Sequence, residues 1–210
     1  MVVSASYAQS DSTYTKYPAT RKVDVSFEVG GLFSVGHAGV FYAESAGTVI
    51  PNIKNTYHKQ SYKGNMAEIA VIVAKPVTQR LRIGGGINFD ISNRDATDPN
   101  VKHASLIMPG YMDIKYNFIN RRVSPFISSQ IGAAYYIGQY SGGGAMAGLN
   151  LGVKGYVSNR VAFSGLIGGR FQHIVGGQAI SVTDSSGNNT IQINPHYLLY
   201  FITVRFGVTF

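Results

Sequence analysis

The sequence predicts an all-β fold, an eight-stranded antiparallel up-and-down β-barrel. Three observations lead to this fold class. Stretches in which apolar and polar residues alternate recur along all 210 residues. Short and long connections between these stretches alternate along the chain. One of the two faces that the alternation defines carries no charge in the bodies of the strands. A period of two is typical of strands with one apolar and one polar face.

The first four stretches read VDVSFEVGGLFS, MAEIAVIVAK, LRIGGGINFDIS and a fourth that ends in GYMDIKYNF. Each keeps its valines, isoleucines and phenylalanines on one parity and most of its charged residues on the other. The fourth contains Pro109, which cannot donate a ladder hydrogen bond, and we expect a bulge or the barrel rim at this residue. The four strands are predicted at 23–34, 66–75, 81–92 and 105–118.

The last four stretches read PFISSQIGAAYYIG, AMAGLNLGVKGYV, VAFSGLIGGRFQHI and HYLLYFITVRFGVTF. The final one alternates up to its last residue, with Val204, Phe206, Val208 and Phe210 on one parity. These strands are predicted at 125–138, 145–157, 161–174 and 196–210.

The connections fall into two classes. PVTQR, INRRVS and SNR join the second strand to the third, the fourth to the fifth, and the sixth to the seventh, whereas the other connections are longer. In an up-and-down meander all tight turns then lie at one end with both termini, and all long loops lie at the other. This is the layout of outer-membrane barrels, which have short periplasmic turns and long external loops.

The polar face decides between a membrane barrel and a soluble, lipocalin-like barrel. A surface in water carries about a quarter charged residues or more, but only 13% of this chain is charged and the polar face is rich in glycine. Acids and bases on that face are equal in number, as expected where buried charges must be paired. The sequence therefore predicts a transmembrane barrel with its polar face inside. The proposed lumen charge network comprises Glu28, Glu68, Arg82, Asp90, Asp113, Lys115, Lys154, Arg170 and Arg205, and Asp24 shares their face.

Composition excludes several classes of chemistry. There is no cysteine, so disulfides, thiol catalysis and cysteine metal sites are absent. The glycine clusters at 84–86 and 142–144 do not lead into helices, which argues against a nucleotide loop. His173 and His196 lack a nearby carboxylate, so we predict no metal site. No motif indicates a cofactor or a nucleic-acid partner, and we predict neither. Because the acids and bases of the polar face are equal in number, the net charge of +8 belongs to the tail, turns and loops.

The N-terminal residues precede the barrel. MVVSASYA, residues 1–8, matches the end of an export signal, with Ser6 and Ala8 in the small-x-small pattern before a cleavage site. An ordinary disordered N-terminus is the alternative. Residues 9–22 are predicted as a polar periplasmic tail, and residues 23–210 as the barrel.

Two stretches carry a family resemblance. YMDIKYNFINRRVSPFISSQIGAAYYIG and FITVRFGVTF resemble the small outer-membrane β-barrel proteins, with the OmpA membrane domain, OmpX and the outer membrane protein beta-barrel domain family as types. The resemblance implies the bacterial outer membrane, with the termini in the periplasm. It also implies that Phe206, Val208 and Phe210 form an assembly signal that the barrel-assembly machinery reads. The absence of tryptophan departs from the usual aromatic girdle.

Three functions stay open on the sequence. The leading one is a non-enzymatic barrel with a plugged lumen and a structural or surface-interaction role through its long loops, whose protein partner is unknown. Lys54, Lys59 and Lys63 would there meet lipopolysaccharide phosphates, while Arg80, Arg121, Arg122 and Arg160 lie in tight turns at the height of lipid phosphates. The alternative for these bases is ordinary solvated charge on loops and turns. The alternatives are a narrow channel for small solutes and a lipid-A-modifying enzyme that would use Ser34 with His37, or His103 with Ser105.

Overall fold

The structure is a computed structural model, and it describes residues 23–45, 65–92, 104–137, 141–158, 160–176, 180–183 and 190–210. All of its regular structure is β. The strands are β1 (Asp24–Ser45), β2 (Asn65–Pro76), β3 (Leu81–Ser92), β4 (Ser105–Asn117), β5 (Val123–Ile137), β6 (Gly142–Tyr156), β7 (Ala162–Gly176), β8 (Ile180–Thr183) and β9 (Thr190–Thr209).

Within the described ranges, no helix is long and apolar enough to cross a membrane.

Eight strands close into a ring. Strands β1 to β7 pair in sequence order, β7 pairs with β9, and β9 pairs with β1, always antiparallel. At the seam, Val25 N donates to Phe210 O at 3.2 Å and Phe210 N donates to Val25 O at 2.8 Å. The predicted eight-stranded antiparallel up-and-down barrel is therefore confirmed, and its C-terminal strand is one side of the closure.

The seam strands are longer than predicted. Strand β1 continues past residue 34 to Ser45, and β9 begins at Thr190 rather than at residue 196. The extra residues pair with each other beyond a bulge between Ser34 and Gly36, and the short, unpredicted β8 pairs with the start of β9. These extra residues form strand because β1 and β9 pair with each other, and the alternation within either stretch alone does not indicate this long-range pairing.

The tight turns lie at the end of the barrel where β1 starts and β9 ends. In the β2–β3 turn, Thr78 Oγ1 accepts hydrogen bonds from the backbone N–H groups of Arg80 and Leu81, at 3.2 and 3.0 Å. Ser158 Oγ does the same for Arg160 and Val161 in the β6–β7 turn. A side-chain oxygen that satisfies two backbone donors is the device expected of Ser and Thr in turns.

Pro109 interrupts one ladder without shifting it. The β3–β4 pairing runs to Ile87 opposite Gly110 and resumes at Asp90 opposite Ile107 in the same register. On its other side Pro109 pairs with Ala134 of β5. The expectation that Pro109 removes a ladder hydrogen bond fits this gap, but the β3–β4 register does not change there, so this pairing holds no bulge.

The two faces of the strands separate as the sequence parity indicated. The outer face is apolar on every strand of the ring and carries large exposed side chains, including Phe27, Ile69, Ile87, Met112, Ile131, Leu151, Phe163 and Phe206. The opposite parity points into the lumen, and ten charged side chains lie on it. The interior is therefore where the chemistry of this chain lies.

Candidate functional site

The centre of the lumen holds a chain of ion pairs. Arg170 of β7 contacts two acids: its Nη1 lies 2.9 Å from Asp90 Oδ2, and its Nη2 donates to Glu68 Oε1. Glu68 also accepts from Asn88 Nδ2 and from Thr203 Oγ1. One carboxylate of β2 is thus tied to β3, β7 and β9 across the interior.

Arg205 extends this chain to the other side of the barrel. Its Nη1 lies 3.1 Å from Glu28 Oε2 and its Nε lies 3.8 Å from Glu68 Oε2. Lys115 Nζ approaches Glu28 Oε1 at 3.8 Å and lies 4.8 Å from the centre of the Phe126 ring. The guanidinium of Arg205 has no exposed surface. Charges on six strands therefore form one connected cluster, which we call the central charge layer.

A second, smaller cluster lies nearer the tight turns. Arg82 Nε is 2.6 Å from Asp24 Oδ2, and Lys154 Nζ is 3.8 Å from the same oxygen. Arg82 Nη2 also donates to the hydroxyl of Tyr156 at 3.1 Å. Asp24 shared the interior parity in the sequence but was not among the nine predicted network residues, and the structure makes it the acid of this cluster.

Asp113 differs from the other predicted network members. Its side chain is buried, yet in the described part of the chain no base forms an ion pair with it. Its Oδ1 accepts from Gln130 Nε2 at 3.3 Å, and Gln130 Oε1 accepts from Arg205 Nη2 at 3.2 Å. Gln130 therefore links Asp113 to the central charge layer through an amide.

Among the described residues, the half of the lumen toward the long loops is largely apolar, with Ser92, Ser105 and Gln172 as buried polar exceptions, and the sequence reasoning missed this. A cluster of buried side chains fills it above the central charge layer. Aliphatic and aromatic residues there occupy interior positions that we expected to be polar. We call this cluster the apolar layer: Leu32, Met66, Ile107, Tyr136, Met146, Ile174, Tyr197, Leu199 and Phe201. The signal was present in runs such as LLYF at 198–201, where both parities are apolar.

Glycines on the interior parity make room for the charged side chains. A Cβ placed on Gly30 would lie 2.6 Å from Arg205 Cγ, and one on Gly207 would lie 2.7 Å from Glu28 Cγ. Both distances are shorter than real Cβ contacts. The small residues of the polar face therefore fit the crowded interior that an eight-stranded ring imposes.

Several buried polar atoms of the lumen have no hydrogen-bond partner among the described residues. They include Asp90 Oδ1, Asn150 Oδ1 and Gln172 Oε1. Buried polar groups of this kind are usually satisfied by ordered water. The central layer is thus able to hold water molecules, whereas the apolar layer offers them few partners.

The remaining predicted sites fall into two groups. Phe206, Val208 and Phe210 lie on the outer face of β9 and just beyond it, and Phe210 is 54% exposed. Lys54, Lys59 and Lys63, His103, and residues 1–22 lie outside the described residues, as do the side chains of His37 and His196. Ser105 is buried. Among the described residues no group of His, Asp or Glu is arranged to hold a metal ion.

Comparison with known proteins found similar structures but no related sequences. No family model matches the sequence, and no curated protein does. Three solved structures resemble it at a TM-score of 0.45: Neisserial surface protein A, outer membrane protein OprG from Pseudomonas aeruginosa, and a major outer membrane protein from Thermus thermophilus. Their identities are 12%, 10% and 12%, over 90%, 88% and 90% of this chain and 96%, 95% and 99% of theirs. The closed ring of two-faced strands gives this chain the fold of the small eight-stranded β-barrels, the class that the sequence resemblance indicated.

Proposed function

We propose that the chain is an integral barrel of the bacterial outer membrane with a closed lumen, and that it acts through its external loops rather than as a pore or an enzyme. The outer face supports membrane insertion, because large apolar side chains such as Val29, Ile131 and Phe206 are about half exposed or more. Ring closure leaves no sheet edge across the span, as a hydrocarbon environment requires. The termini and tight turns would face the periplasm.

The observation that carries the closed lumen is the succession of two layers. A solute entering from the loop end first meets the apolar layer, in which Leu32, Ile107 and Leu199 are 0%, 0% and 1% exposed. Below it the paired charges of Arg170 and Arg205 span the interior. An ion would have to lose its hydration in the first layer and separate buried ion pairs in the second. These two barriers differ in kind and act in series.

A narrow channel is the second candidate, and the central charge layer provides the observation in its favour. Buried oxygens that lack hydrogen-bond partners among the described residues, such as Asp90 Oδ1 and Gln172 Oε1, suit a short file of water. A conducting path needs a continuous wet route. The apolar layer interrupts such a route, and for this reason we rank the closed barrel first.

The enzyme alternative has less support. A lipid-modifying enzyme needs its nucleophile at the outer surface near the rim, where the lipid is. Ser105 points inward and is 3% exposed, which does not suit that task. We therefore propose a structural or surface-interaction role, with lipopolysaccharide phosphates at Lys54, Lys59 and Lys63 and a protein partner at the loops as its candidate ligands.

Planar-bilayer recording of the folded, unmodified protein tests the proposal. We expect insertion, judged by faster migration on gels without boiling, and no steady conductance. A large and stable conductance would reject the closed barrel and favour the channel. Recovery of the protein as a detergent-free soluble monomer would reject the membrane location itself.

A further inference from the structure

The rim at the tight-turn end carries a set of exposed arginines. Arg80 lies in the β2–β3 turn, Arg121 and Arg122 in the β4–β5 turn, and Arg160 in the β6–β7 turn, and all four are exposed. These turns alternate with the long connections, so the arginines recur at every second strand around the ring. We call these four residues the basic rim.

The basic rim follows one positional rule. In all three turns an arginine directly precedes an apolar residue at or next to the start of the following strand, in the pairs Arg80–Leu81, Arg122–Val123 and Arg160–Val161. The sequence repeats this pattern before the first strand, where Lys22 precedes Val23. Arg80, Arg122 and Arg160 thus lie within two residues of a strand start at the same end of the barrel.

Counter-charge is lacking at this end. Of the acids in the described ranges, Asp24 is the one near the tight turns, and it is buried against Arg82 and Lys154. Lys75, at the end of β2, is also exposed. The basic rim therefore has no acidic side chain beside it on the described surface, and we look for its counter-ions outside that surface.

The apolar flanks of the turns indicate where those counter-ions are. Val77, Val123 and Val157 border the turns and are 58%, 56% and 56% exposed. Just above them Phe118 and Phe163 stand on the outer face at 46% and 54% exposure. Apolar and aromatic side chains in this position mark the boundary of the hydrocarbon region. The guanidinium groups then lie at the height of the lipid phosphates.

Two neighbouring turns contact each other, and Arg122 is held by the backbone of a third strand end. Asn120 Nδ2 of one turn donates to Gln79 Oε1 of the next at 3.2 Å, and Arg122 Nε donates to the carbonyl of Tyr156 at 2.9 Å. Among the described residues the side chains of Arg80, Arg121 and Arg160 make no such contact. Their planar groups are suited to bidentate contact with phosphate oxygens.

We propose that the basic rim binds the phosphate groups of anionic phospholipids in the leaflet at the tight-turn end. The lipid in question carries a phosphodiester with a net negative charge, as phosphatidylglycerol does. The proposal rests on the membrane location proposed above, and it adds a lipid preference to a face that the loop-mediated role does not use.

The test compares lipid association in reconstituted vesicles. The protein is inserted into phosphatidylcholine vesicles, and electron paramagnetic resonance measures its association with spin-labelled phosphatidylglycerol relative to spin-labelled phosphatidylcholine. We expect the unmodified barrel to prefer the anionic lipid. Arg80→Gln with Arg160→Gln should lower this preference about threefold or more, since each base near an anionic surface contributes a factor of several.

Two matched variants make the result specific. Arg80→Lys with Arg160→Lys keeps the charge and should retain most of the preference. Arg94→Gln with Lys102→Gln removes two bases from the connection between β3 and β4, which is not one of the tight turns, and should leave the preference unchanged. The preference of the unmodified protein should decline as salt is added.

Insertion is verified for each variant by its faster migration before boiling. If the inserted barrel showed no preference for the anionic lipid, or if both Gln pairs lost it equally, lipid binding by the basic rim would be rejected. The proposal of a closed barrel would not be affected. Failure of the unmodified protein to insert would instead reject the proposed function. An effect confined to the Gln pair at the rim would support lipid binding there.

Discussion

Arg205 and Glu28 each lie opposite a glycine of the neighbouring strand, and their side chains meet in the lumen with Nη1 3.1 Å from Oε2. Across the β1–β9 seam, Arg205 stands opposite Gly30 and Glu28 stands opposite Gly207. The two glycines leave the space that the long charged side chains occupy. The strand pair that closes the barrel thus also holds part of its central charge layer.

Gly30→Ala should destabilise the barrel. The new Cβ would lie 2.2 Å from the carbonyl oxygen of Val204 and 2.6 Å from Arg205 Cγ, and a backbone oxygen in a closed ladder has little freedom to move. We expect a loss of about 1–3 kcal/mol in the free energy of unfolding, as for overpacked cores. Urea unfolding of the vesicle-inserted protein would measure it.

Gly155→Ala is the control for this substitution. Gly155 also lies in a strand, but no heavy atom outside its own neighbourhood comes within 4 Å of its Cβ position. We expect a change within about 0.5 kcal/mol. Equal losses for the two variants would show that the space beside Arg205 is not what Gly30 provides.

The two lumen clusters should respond unequally to the loss of an arginine. Arg170→Met removes the ion-pair partner of Asp90 and one of the two for Glu68, and both acids are buried. Leaving a buried charge without its partner costs about 3–5 kcal/mol. Arg82→Met should cost clearly less, because Asp24 keeps Lys154 at 3.8 Å and Arg82 is itself partly exposed.

Unfolding midpoints of the two variants in urea would distinguish these cases. If Arg82→Met lost as much stability as Arg170→Met, Lys154 would not compensate Asp24 for the loss of Arg82. If neither variant lost stability, the central charge layer would contribute nothing measurable to the folded barrel.

Alternation was sufficient to predict the eight strands of the ring and most of their faces, but not β8 or the full length of β1 and β9. Residues such as Val71, Val73, Glu68 and Arg82 fall on the sides that their parity predicts. The reason is physical: a one-residue slip would exchange every side chain between lipid and lumen, so the parity is strongly constrained.

Partner choice within the lumen was beyond the sequence. Asp113 and Glu28 both qualified as acids of the network, but only Glu28 forms ion pairs with described bases. Such pairings depend on the stagger of strands far apart in the chain, which local patterns do not encode.

The apolar layer was missed for a different reason. Around Leu199 and Phe201 both faces are apolar, so alternation gives no sign of which side is the lumen.

The C-terminal aromatic residue gives a prediction about assembly. Phe210→Asp should slow insertion in cells more than it destabilises the finished barrel, because Phe206, Val208 and Phe210 are proposed as the signal for the assembly machinery. In the folded barrel the ring of Phe210 lies 6.4 Å from the ring of Phe27 between centroids, and Phe210 is 54% exposed. Pulse-chase measurement of the heat-modifiable form would give the insertion rate.

Phe163→Asp is a matched control, since Phe163 has the same exposed fraction of 54% on a strand remote from the C-terminus in sequence. Both substitutions place a carboxylate on the lipid face at a similar cost. Insertion of Phe210→Asp at the rate of Phe163→Asp would mean that the last residue is not a recognition signal.

The two layers of the lumen should have to be weakened together before ions pass. Arg205→Ala removes a fully buried guanidinium from the central charge layer and lets water enter beside Glu28, but the apolar layer above it stays intact. Leu199→Ser places a hydroxyl in the apolar layer, but the ion pairs below it remain. We therefore expect bilayer recordings of either single variant to resemble the unmodified protein, and the double variant to show brief openings. Conductance in Arg205→Ala alone would show that the charges are the only barrier, whereas conductance in Leu199→Ser alone would assign that role to the apolar layer. Since the barriers act in series, silence in all three variants would mean that one substitution per layer leaves at least one of them closed, and Leu32→Ser added to the double variant should then open the path.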